Sequence, residues 1–280
     1  MQTHAMLPTV RHLKGNYYRI YYSGRDDNGI SHIGFSDVEI NGENIIELNK
    51  SKEPSLLPGE RGCFDDNGVT PSCFVDDKLY YIGWNSGTTT YRMSLIMGLA
   101  FLNKKNKLKR ISRAPLLPRT DREPFGICTA PFVLKEKKKY KMWYVSGEGW
   151  INKDLPKYNI KYAISNNGID WIRHDTVSLE LKKNETALAR PCIIKNKEYY
   201  EMYFSFKDPK IGYRIGYAVS YDGIKFERDT KSNNNFSISN KGWDSEMVEY
   251  SYVFCHKNIK FMLYNGNNYG KNGIGYAVEK

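Results

Sequence analysis

A segment that recurs along the chain at a nearly constant interval is the feature that most constrains its fold. Met142, Met202 and Met262 are evenly spaced, and each stands inside a short aromatic and apolar run. Ile82 holds the same place one full interval before Met142, and a similar run around Ile20 comes nearly one interval earlier still. Self-similarity of this kind indicates an architecture built from copies of one supersecondary unit. The sequence therefore predicts five such units.

Two further elements accompany the repeat and show what each unit contains. After the centres come runs such as residues 215–218, and in two copies these lead to Asn167-Gly168 or Asp222-Gly223. Those dipeptides predict tight hairpin turns, because both central residues of such turns need positive φ. Short aromatic and β-branched runs with alternating polarity predict strands, and no convincing helical periodicity is present. A proline, replaced once by serine, precedes the centres at a nearly constant distance: Pro8, Pro71, Pro131, Pro191 and Ser251.

Five four-stranded units predict an all-β fold, a five-bladed β-propeller with antiparallel blades around a central channel. We expect one domain over residues 1–280, with strand exchange at the ring closure left open. A two-sheet sandwich does not explain a fivefold period. The first strand of each blade is expected to line the channel, and long loops can build a site at its mouth. The predicted blades are roughly residues 1–60, 61–120, 121–180, 181–240 and 241–280.

Composition indicates a soluble protein that stays inside the cell. With 40% hydrophobic and 14% aromatic residues, the chain can bury a sizeable core. Its longest apolar stretch, residues 95–102, is far shorter than the ~20 residues of a membrane-spanning helix. The beginning of the chain lacks the basic region and apolar run of a secretory signal, so we expect a cytoplasmic protein without membrane insertion. The five cysteines form no CxxC pair and are expected to be reduced and mostly buried.

The net charge of +11 has three interpretations. It is compatible with a nucleic-acid partner, with an anionic small substrate such as a sugar phosphate, or with lysines that solvate turns and protect strand edges. Lysine clusters at residues 104–107 and 135–139 lie between apolar runs, where hairpin turns are expected. That position favours the third interpretation. No recognition helix or basic stripe is visible, so nucleic acid is not the expected partner.

Acidic residues recur shortly before the proline in at least four units and suggest chemistry at a glycosidic bond. A channel ringed by carboxylates from different blades can protonate a leaving oxygen and activate water or attack the sugar. We predict Asp66 and Glu246 as the catalytic pair, with Asp244 tuning or orienting them. Strand alternation places Glu249 on the opposite face from Glu246, which predicts a structural role for Glu249. The alternative for any of these acids is that it caps a turn or pairs with arginine.

Further polar and aromatic residues are candidates for substrate binding. Arginine offers a rigid fork for carboxylate or phosphate, and histidine can bind sugar or exchange protons. For Arg25 the alternative is a salt bridge to Asp26 or Asp27, and both histidines have structural alternatives. The chain has no metal-ligand spacing, no Gly-rich phosphate loop and no nucleophile elbow, so no metal or cofactor is expected. The predicted substrate-binding residues are His4, Arg25, Asp26, His32, Asp65, Trp84, Glu123, Glu185, Arg190, Tyr250 and Asn265.

With these residues in view, nearly the whole chain resembles the five-bladed propeller glycosidase superfamily. That superfamily includes β-fructosidases, arabinanases with β-xylosidases, and mannoside phosphorylases. The resemblance is carried by the repeated strands and by residues 215–226 and 243–250. Residues 264–270 are similar to uncharacterised glycosidase-like propellers of bacterial surface-polysaccharide synthesis. The resemblance implies a carbohydrate substrate, with a nucleotide or phosphate linkage left open.

One departure from the family bears on the reaction. Fructosidases and arabinanases have an aspartate at the channel end of blade one, where this chain offers His4 and no acid. The usual base is therefore missing or replaced, with Asp65 and Asp66 as replacements. We expect an intracellular, glycoside hydrolase-like enzyme that acts by hydrolysis, phosphorolysis or glycosyl transfer. The alternative is a non-catalytic propeller that binds sugar or protein.

Overall fold

The first quarter of the chain forms one antiparallel sheet. The structure is a computed structural model and describes residues 3–103, 107–229 and 236–279. Its first four strands pair in chain order and form a separate four-stranded sheet. They are β1 (Thr3–Lys14), β2 (Tyr17–Arg25), β3 (Ser31–Asn41) and β4 (Asn44–Lys50).

The next twelve strands form three antiparallel groups of four within one continuous sheet. Short parallel pairings join the groups, at Leu95 with Ile127 and at Tyr158 with Ala187. The second group contains β5 (Val69–Val75), β6 (Lys78–Ser86), β7 (Met93–Leu102) and β8 (Leu108–Arg110). The third contains β9 (Ile127–Glu136), β10 (Lys139–Asn152), β11 (Leu155–Ser165) and β12 (Trp171–Leu179). The fourth contains β13 (Ala187–Lys195), β14 (Tyr200–Asp208), β15 (Gly212–Ser220) and β16 (Glu227–Arg228).

The last group has three strands among the described residues. They are β17 (Glu249–His256), β18 (Ile259–Asn265) and β19 (Ile274–Val278), with the short turn α1 (Asn267–Gly270) between the last two. This turn is the single helical segment in the described part of the chain, and it contains two left-handed residues. The fold is therefore all-β, as predicted. No helix among the described residues has the length and apolar character needed to cross a bilayer.

The first strands of the five groups contact one another in chain order, and β17 contacts β1. A side-chain amide joins the last group to the first. Asn265 accepts a hydrogen bond from the Leu7 N–H at 2.9 Å and donates to the Ala5 carbonyl at 2.7 Å. No strand exchange links these two groups within the described residues. The sheets therefore surround a common centre.

A bulge interrupts the first strand of each group near the proline or its replacement. The pairing register between the first and second strands shifts there in all five groups, for example between Met6 and Thr9 in the first group. In four groups the residue before the proline position has a left-handed φ of 46–57°. A residue before proline is normally extended, so the ring imposes this conformation against local preference. The left-handed residues are Leu7, Ala130, Arg190 and Tyr250.

Side chains of the second strands lock neighbouring groups together. Met142 and Met202 are fully buried in the main hydrophobic core, which contains residues of all five groups. The Tyr80 hydroxyl donates to the Gly168 carbonyl at 2.7 Å, and Trp143 Nε1 donates to the Gly223 carbonyl at 3.0 Å. The repeat therefore marks the positions where one sheet packs on the next.

The prediction of two-residue hairpins at the Asn-Gly and Asp-Gly steps was wrong. Five residues separate β11 from β12, and six separate β15 from β16. Gly168 has positive φ but Asn167 does not. The Asn167 side chain instead accepts hydrogen bonds from the N–H groups of Ile169 and Asp170. The asparagine thus holds a wider loop by mimicking a backbone turn.

The structure also bears on the cysteine and lysine predictions. All five cysteines are free, and Cys73, Cys128 and Cys192 are buried. Burial raises the pKa of each of these three thiols to about 12, so they stay protonated. The lysine cluster at residues 135–139 lies at the turn between β9 and β10, as expected. Residues 104–106 of the other cluster lie outside the described residues.

Candidate functional site

Asp65 of the second group does not face the ring centre. Its carboxylate is fully buried and accepts hydrogen bonds from Arg110 Nε at 2.7 Å and from the Tyr81 hydroxyl at 2.9 Å. Arg110 lies in β8, the outermost strand of the group. The pair therefore holds the entry loop of the group against its own outer strand.

The same arrangement recurs in the third and fourth groups. Glu123 accepts from Arg173 Nη1 at 2.8 Å and from the Ser146 hydroxyl at 2.6 Å. Glu185 accepts from both terminal nitrogens of Arg228, each at 2.6 Å. We call the pairs Asp65–Arg110, Glu123–Arg173 and Glu185–Arg228 the loop latches. They correspond to the alternative in which these acids pair with arginine. The structure has a cavity at the ring centre, called the central cavity, and the three carboxylates lie outside it.

The predicted catalytic acids also lie outside the central cavity. Asp66 accepts a hydrogen bond from Asn85 Nδ2 of β6 at 2.7 Å and one from the Gly62 N–H of its own turn at 2.8 Å. Asp244 is buried and accepts from the Tyr264 hydroxyl at 2.9 Å. Glu246 is exposed in the loop before β17. The catalytic role of these three acids stays a prediction.

Four other predicted residues belong to turns, to a surface groove and to the ring closure. Asp26 lies in the loop after β2, and its Oδ2 is 3.0 Å from Nε2 of His32 at the start of β3; this contact is the largest cause of a lowered Asp26 pKa. His4 lines a separate groove between the first and last groups. Burial, followed by the charges of Arg25 and Lys271, lowers the pKa of His4. The side-chain amide of Asn265 makes the hydrogen bonds to Leu7 and Ala5 that join the last group to the first.

A cavity of about 310 Å³ occupies the ring centre, where the first strands converge. Four of the predicted substrate-binding residues line it: Arg25, Trp84, Arg190 and Tyr250. Most of its wall is apolar, with Met6, Leu7, Ile82, Leu95, Ile127 and Val145 among the lining side chains. Aromatic side chains supply flat faces suited to stacking on a sugar ring. The aromatic lining residues are Trp84, Tyr158, Tyr213, Tyr250 and Tyr269.

The ionisable lining of the cavity is mainly cationic. Arg25, Arg92, Arg190 and Lys207 line it, against the single carboxylate of Asp154. Arg92 is exposed at the mouth and Arg25 is half-buried. Desolvated cations in a concave site attract anions, and arginine binds carboxylate or phosphate through a planar fork.

Arg190 closes the floor of the cavity. Its side chain is almost completely buried and donates to atoms of the first and second groups. One terminal nitrogen reaches the Pro71 carbonyl at 3.1 Å and the Ser72 hydroxyl at 3.0 Å. The other reaches the Pro8 carbonyl at 2.6 Å and the Thr9 hydroxyl at 2.7 Å. The guanidinium group thus joins three groups below the cavity.

Glu249, predicted to be structural, is buried next to the lining residue Tyr250 but is not itself among the residues that line the cavity. It is 0% exposed, and neither carboxyl oxygen has a partner in hydrogen-bond geometry among the described residues. Burial raises its pKa well above the usual range, and the Tyr250 hydroxyl and Lys207 oppose that rise without cancelling it. The alternation of side chains between the two faces of a strand could not place this residue relative to Glu246. β17 begins only at Glu249, and Glu246 belongs to the preceding loop.

Tyrosines surround the Glu249 carboxyl group. The hydroxyls of Tyr158 and Tyr213 lie 2.9 Å apart, and the rings of Tyr213 and Tyr250 are 5.7 Å apart. Burial raises the pKa of Tyr158 to about 12. The described residues contain no group of three or more His, Cys, Asp or Glu side chains arranged to hold a metal ion. The site is therefore an apolar and aromatic cavity that is lined by cations and, among the described residues, by one carboxylate, that of the exposed Asp154.

Comparison with solved structures identifies the class of fold. A protein titled glycoside hydrolase shares a TM-score of 0.74 at 19% identity, covering 99% of this chain and 87% of that one. The β-fructofuranosidase BmSUC1 of Bombyx mori has a TM-score of 0.66 at 13% identity, with 99% and 62% covered. The endo-arabinase of Bacteroides thetaiotaomicron has a TM-score of 0.62 at 12% identity, with 99% and 94% covered. The predicted resemblance to propeller glycosidases is confirmed at the level of the fold.

Sequence comparison identifies the narrower family. The chain is 36% identical over 284 residues to the uncharacterised protein Rv1502 of Mycobacterium tuberculosis, covering 99% of this chain and 93% of the relative. The uncharacterised protein MT1551 from another strain of that species matches with the same identity and coverage. The chain belongs to the family of these mycobacterial proteins. No family model matches the chain.

Proposed function

We propose that this protein is a five-bladed propeller enzyme that acts on a glycosidic bond and binds a negatively charged glycoside in its central cavity. The five antiparallel groups are the blades, and the cavity is the substrate site. The observation that carries the proposal is a cavity at the ring centre that combines aromatic faces with Arg25, Arg92 and Lys207.

The cavity lining favours a charged carbohydrate over a neutral one. Apolar and aromatic walls can stack on the faces of a sugar ring, while arginine forks bind carboxylate or phosphate groups. Suitable ligands are sugar phosphates, uronic acids and nucleotide sugars. Hydrolysis, phosphorolysis and glycosyl transfer are all compatible with such a ligand, and a role in surface-polysaccharide synthesis is part of the hypothesis.

A non-catalytic binding protein is the second candidate, and the loop latches favour it. The carboxylates of Asp65, Glu123 and Glu185 form ion pairs with arginine. Arg190 closes the floor of the cavity. Activity therefore needs a direct test. The sequence-based hypothesis predicts that Asp66→Asn and Glu246→Gln each reduce turnover at least about a hundredfold, without loss of thermal stability.

Calorimetric titration tests the binding site. Sugar phosphates, uronic acids and nucleotide sugars are compared with the neutral parent sugars. Removing a charged hydrogen bond costs about 1.5–3 kcal/mol, so Arg25→Met and Arg92→Met should each weaken binding of the charged ligand at least about tenfold. Arg113→Met is the matched control, since Arg113 is exposed, pairs with Glu60 and lies outside the cavity.

Two results would reject the proposed substrate site. One is that neutral sugars bind as tightly as their charged derivatives. The other is that Arg113→Met weakens binding as much as Arg92→Met does. Turnover of aryl glycosides and sugar phosphates, with and without inorganic phosphate, then separates an enzyme from a binding protein.

A further inference from the structure

A groove of about 810 Å³ separates the outer parts of the first and last groups. One wall is the face of the first sheet, with Val38 of β3 and Ile45 of β4 among its side chains. The other wall includes β19, the outermost described strand of the last group, with Ile274 and Tyr276. We call this space the closure groove. It shares no lining residue with the central cavity, so it is a separate feature of the surface.

The closure groove borders a strand that is covered in other groups. The first four groups each have a fourth, outermost strand, whereas the last group has three strands among the described residues. Leu99 and Tyr162, in the third strands of the second and third groups, are 2% and 5% exposed. Tyr276 holds the same place in the repeat and is 42% exposed. The third strand of the last group therefore presents a surface that these counterparts bury.

The open edge of β19 presents backbone donors and acceptors. The Glu279 N–H donates to the Lys260 carbonyl at 3.0 Å, and the antiparallel register of β18 and β19 continues from there without a shift. Because bonded pairs alternate in such a ladder, the N–H and carbonyl groups of Ile274, Tyr276 and Val278 point away from β18. No strand or loop of the described residues pairs with them. An edge of this kind is a template for a further strand.

The charge of the closure groove is mainly positive. Lys50, Lys52 and Lys271 line it, against the single carboxylate of Glu47 among the described lining residues. That carboxylate accepts a hydrogen bond from the Ser36 hydroxyl at 2.8 Å and lies 3.6 Å from the Lys50 ammonium group. Lys52 and Lys271 form no ion pair within the described part of the chain. Two cations are thus available for acidic side chains of a ligand.

We propose that the closure groove binds an extended, acidic segment of a partner protein, which adds to β19 as the fourth strand of the last group. Strand addition is a known mode of peptide recognition, in which backbone hydrogen bonds supply affinity and side-chain contacts supply specificity. β19 has five residues, so a partner segment of about that length spans it. Its apolar side chains face Val38 and Ile45, and its acidic side chains lie near Lys52 and Lys271. This inference does not depend on the proposed function.

Two other occupants fit the closure groove less well. A second copy of this chain carries a net charge of +11, which opposes its approach to a cationic groove. An acidic carbohydrate matches the charge but has no regular row of peptide groups to pair with the edge of β19. The combination of an open strand edge with cations therefore favours an acidic peptide.

Binding of a synthetic peptide to the full protein provides the first test. The probe is a short, capped, fluorescent peptide of alternating glutamate and valine, and the control peptide has lysine in place of glutamate. We expect the basic peptide to bind at least about tenfold more weakly. The double variant Lys52→Met with Lys271→Met should weaken binding of the acidic peptide at least about threefold. Lys183→Met, at an exposed lysine outside the groove, is the control and should leave binding unchanged. Failure of the acidic peptide to bind overturns the proposal.

A backbone substitution in β19 provides the second test. Tyr276→Pro removes an N–H group that points to the open edge and leaves the hydrogen bonds to β18 in place, and proline is tolerated on edge strands. Tyr276→Ala is the matched variant, because it removes the same ring but keeps the N–H group. We expect Tyr276→Pro to bind the acidic peptide at least about fivefold more weakly than Tyr276→Ala. Equal affinities of the two variants would contradict strand addition.

Amide hydrogen exchange of the unaltered protein tests the same hydrogen bonds without a variant. Bound acidic peptide should slow exchange of the Tyr276 and Val278 amides at least about tenfold, because their N–H groups become hydrogen bonded. Unchanged exchange with the peptide bound would reject strand addition. Tighter binding of oligogalacturonate than of the peptide would assign the groove to carbohydrate instead. A dimer of the free protein that Tyr276→Pro dissociates would assign it to a second copy, and either result ends the proposal of a partner peptide.

Discussion

Replacement of Arg190 separates a structural role from the substrate-binding role predicted from the sequence. The guanidinium group makes four hydrogen bonds to atoms of the first and second groups and has no carboxylate partner among the described residues. Each hydrogen bond to a charged group is worth about 1.5–3 kcal/mol, so the four together contribute roughly 6–12 kcal/mol. Burial of the cation costs several kcal/mol and offsets part of this gain. We expect Arg190→Met to lower the free energy of unfolding by about 3–5 kcal/mol.

Chemical unfolding of Arg190→Met, Arg190→Lys and wild type measures this effect. Methionine fills similar space without donors, whereas lysine keeps the charge but lacks the planar fork that reaches two groups at once. The lysine variant should therefore be intermediate. Arg92→Met is the control, because Arg92 also lines the cavity but is exposed, and it should change stability by less than about 0.5 kcal/mol.

The reasoning fails if the free energy of unfolding of Arg190→Met lies within about 1 kcal/mol of the wild-type value. A stable variant that loses affinity for a charged glycoside would restore the substrate-binding role. A destabilised variant whose remaining folded fraction binds the ligand normally would instead confirm that Arg190 joins the groups below the cavity.

Three further predictions concern stability. Glu185→Gln breaks the latch to Arg228 and should cost about 3–5 kcal/mol in chemical unfolding, while ligand binding at the cavity is unchanged; a smaller cost would mean that the latch is dispensable. Asn265→Ala leaves the ring closure without its amide and should cost at least about 2 kcal/mol, and an unchanged Tm would contradict this role. Asp26→Asn removes a carboxylate whose pKa is lowered chiefly by His32. Its stabilising effect is present above the ordinary pKa of 3.8 and is lost as the pH falls through the lower folded pKa, so the Tm difference between wild type and variant should shrink in acid.

The repeat predicted the strands because equivalent positions in different copies are buried in the same way. Met142 and Met202 hold the same place in their second strands and are fully buried in the main core, so each copy carries the same apolar requirement. The bulges could not be predicted in this way. A residue before proline is normally extended, and only the assembled ring makes the left-handed conformation of Ala130 and Arg190 favourable.

Two local arguments used for the candidate site do not match the structure, while the assignment of the catalytic residues stays a prediction. Alternation was applied to residues 244–248, which form a loop, so Glu246 was chosen and Glu249 was set aside. The acids before the prolines were interpreted as catalytic or substrate-binding residues of the channel, although Asp65, Glu123 and Glu185 pair with arginine. A signal for these pairs was present in the sequence. The arginines follow their acids by 45, 50 and 43 residues, in the order of the second, third and fourth groups.

These placements bear on the type of reaction. The three acids of the loop latches hold loops, and Glu249, although buried next to Tyr250, is not among the residues that line the cavity. A two-carboxylate hydrolase needs a second carboxyl group within about 5–9.5 Å of the first, and the described lining offers only Asp154, which is exposed on the turn between β10 and β11. An acceptor that carries its own negative charge does not need a protein base to activate it, and the cations at the cavity would hold it in place. We therefore expect glycosidic bond cleavage to proceed faster with inorganic phosphate as the acceptor than with water, and equal rates with and without phosphate would contradict this expectation.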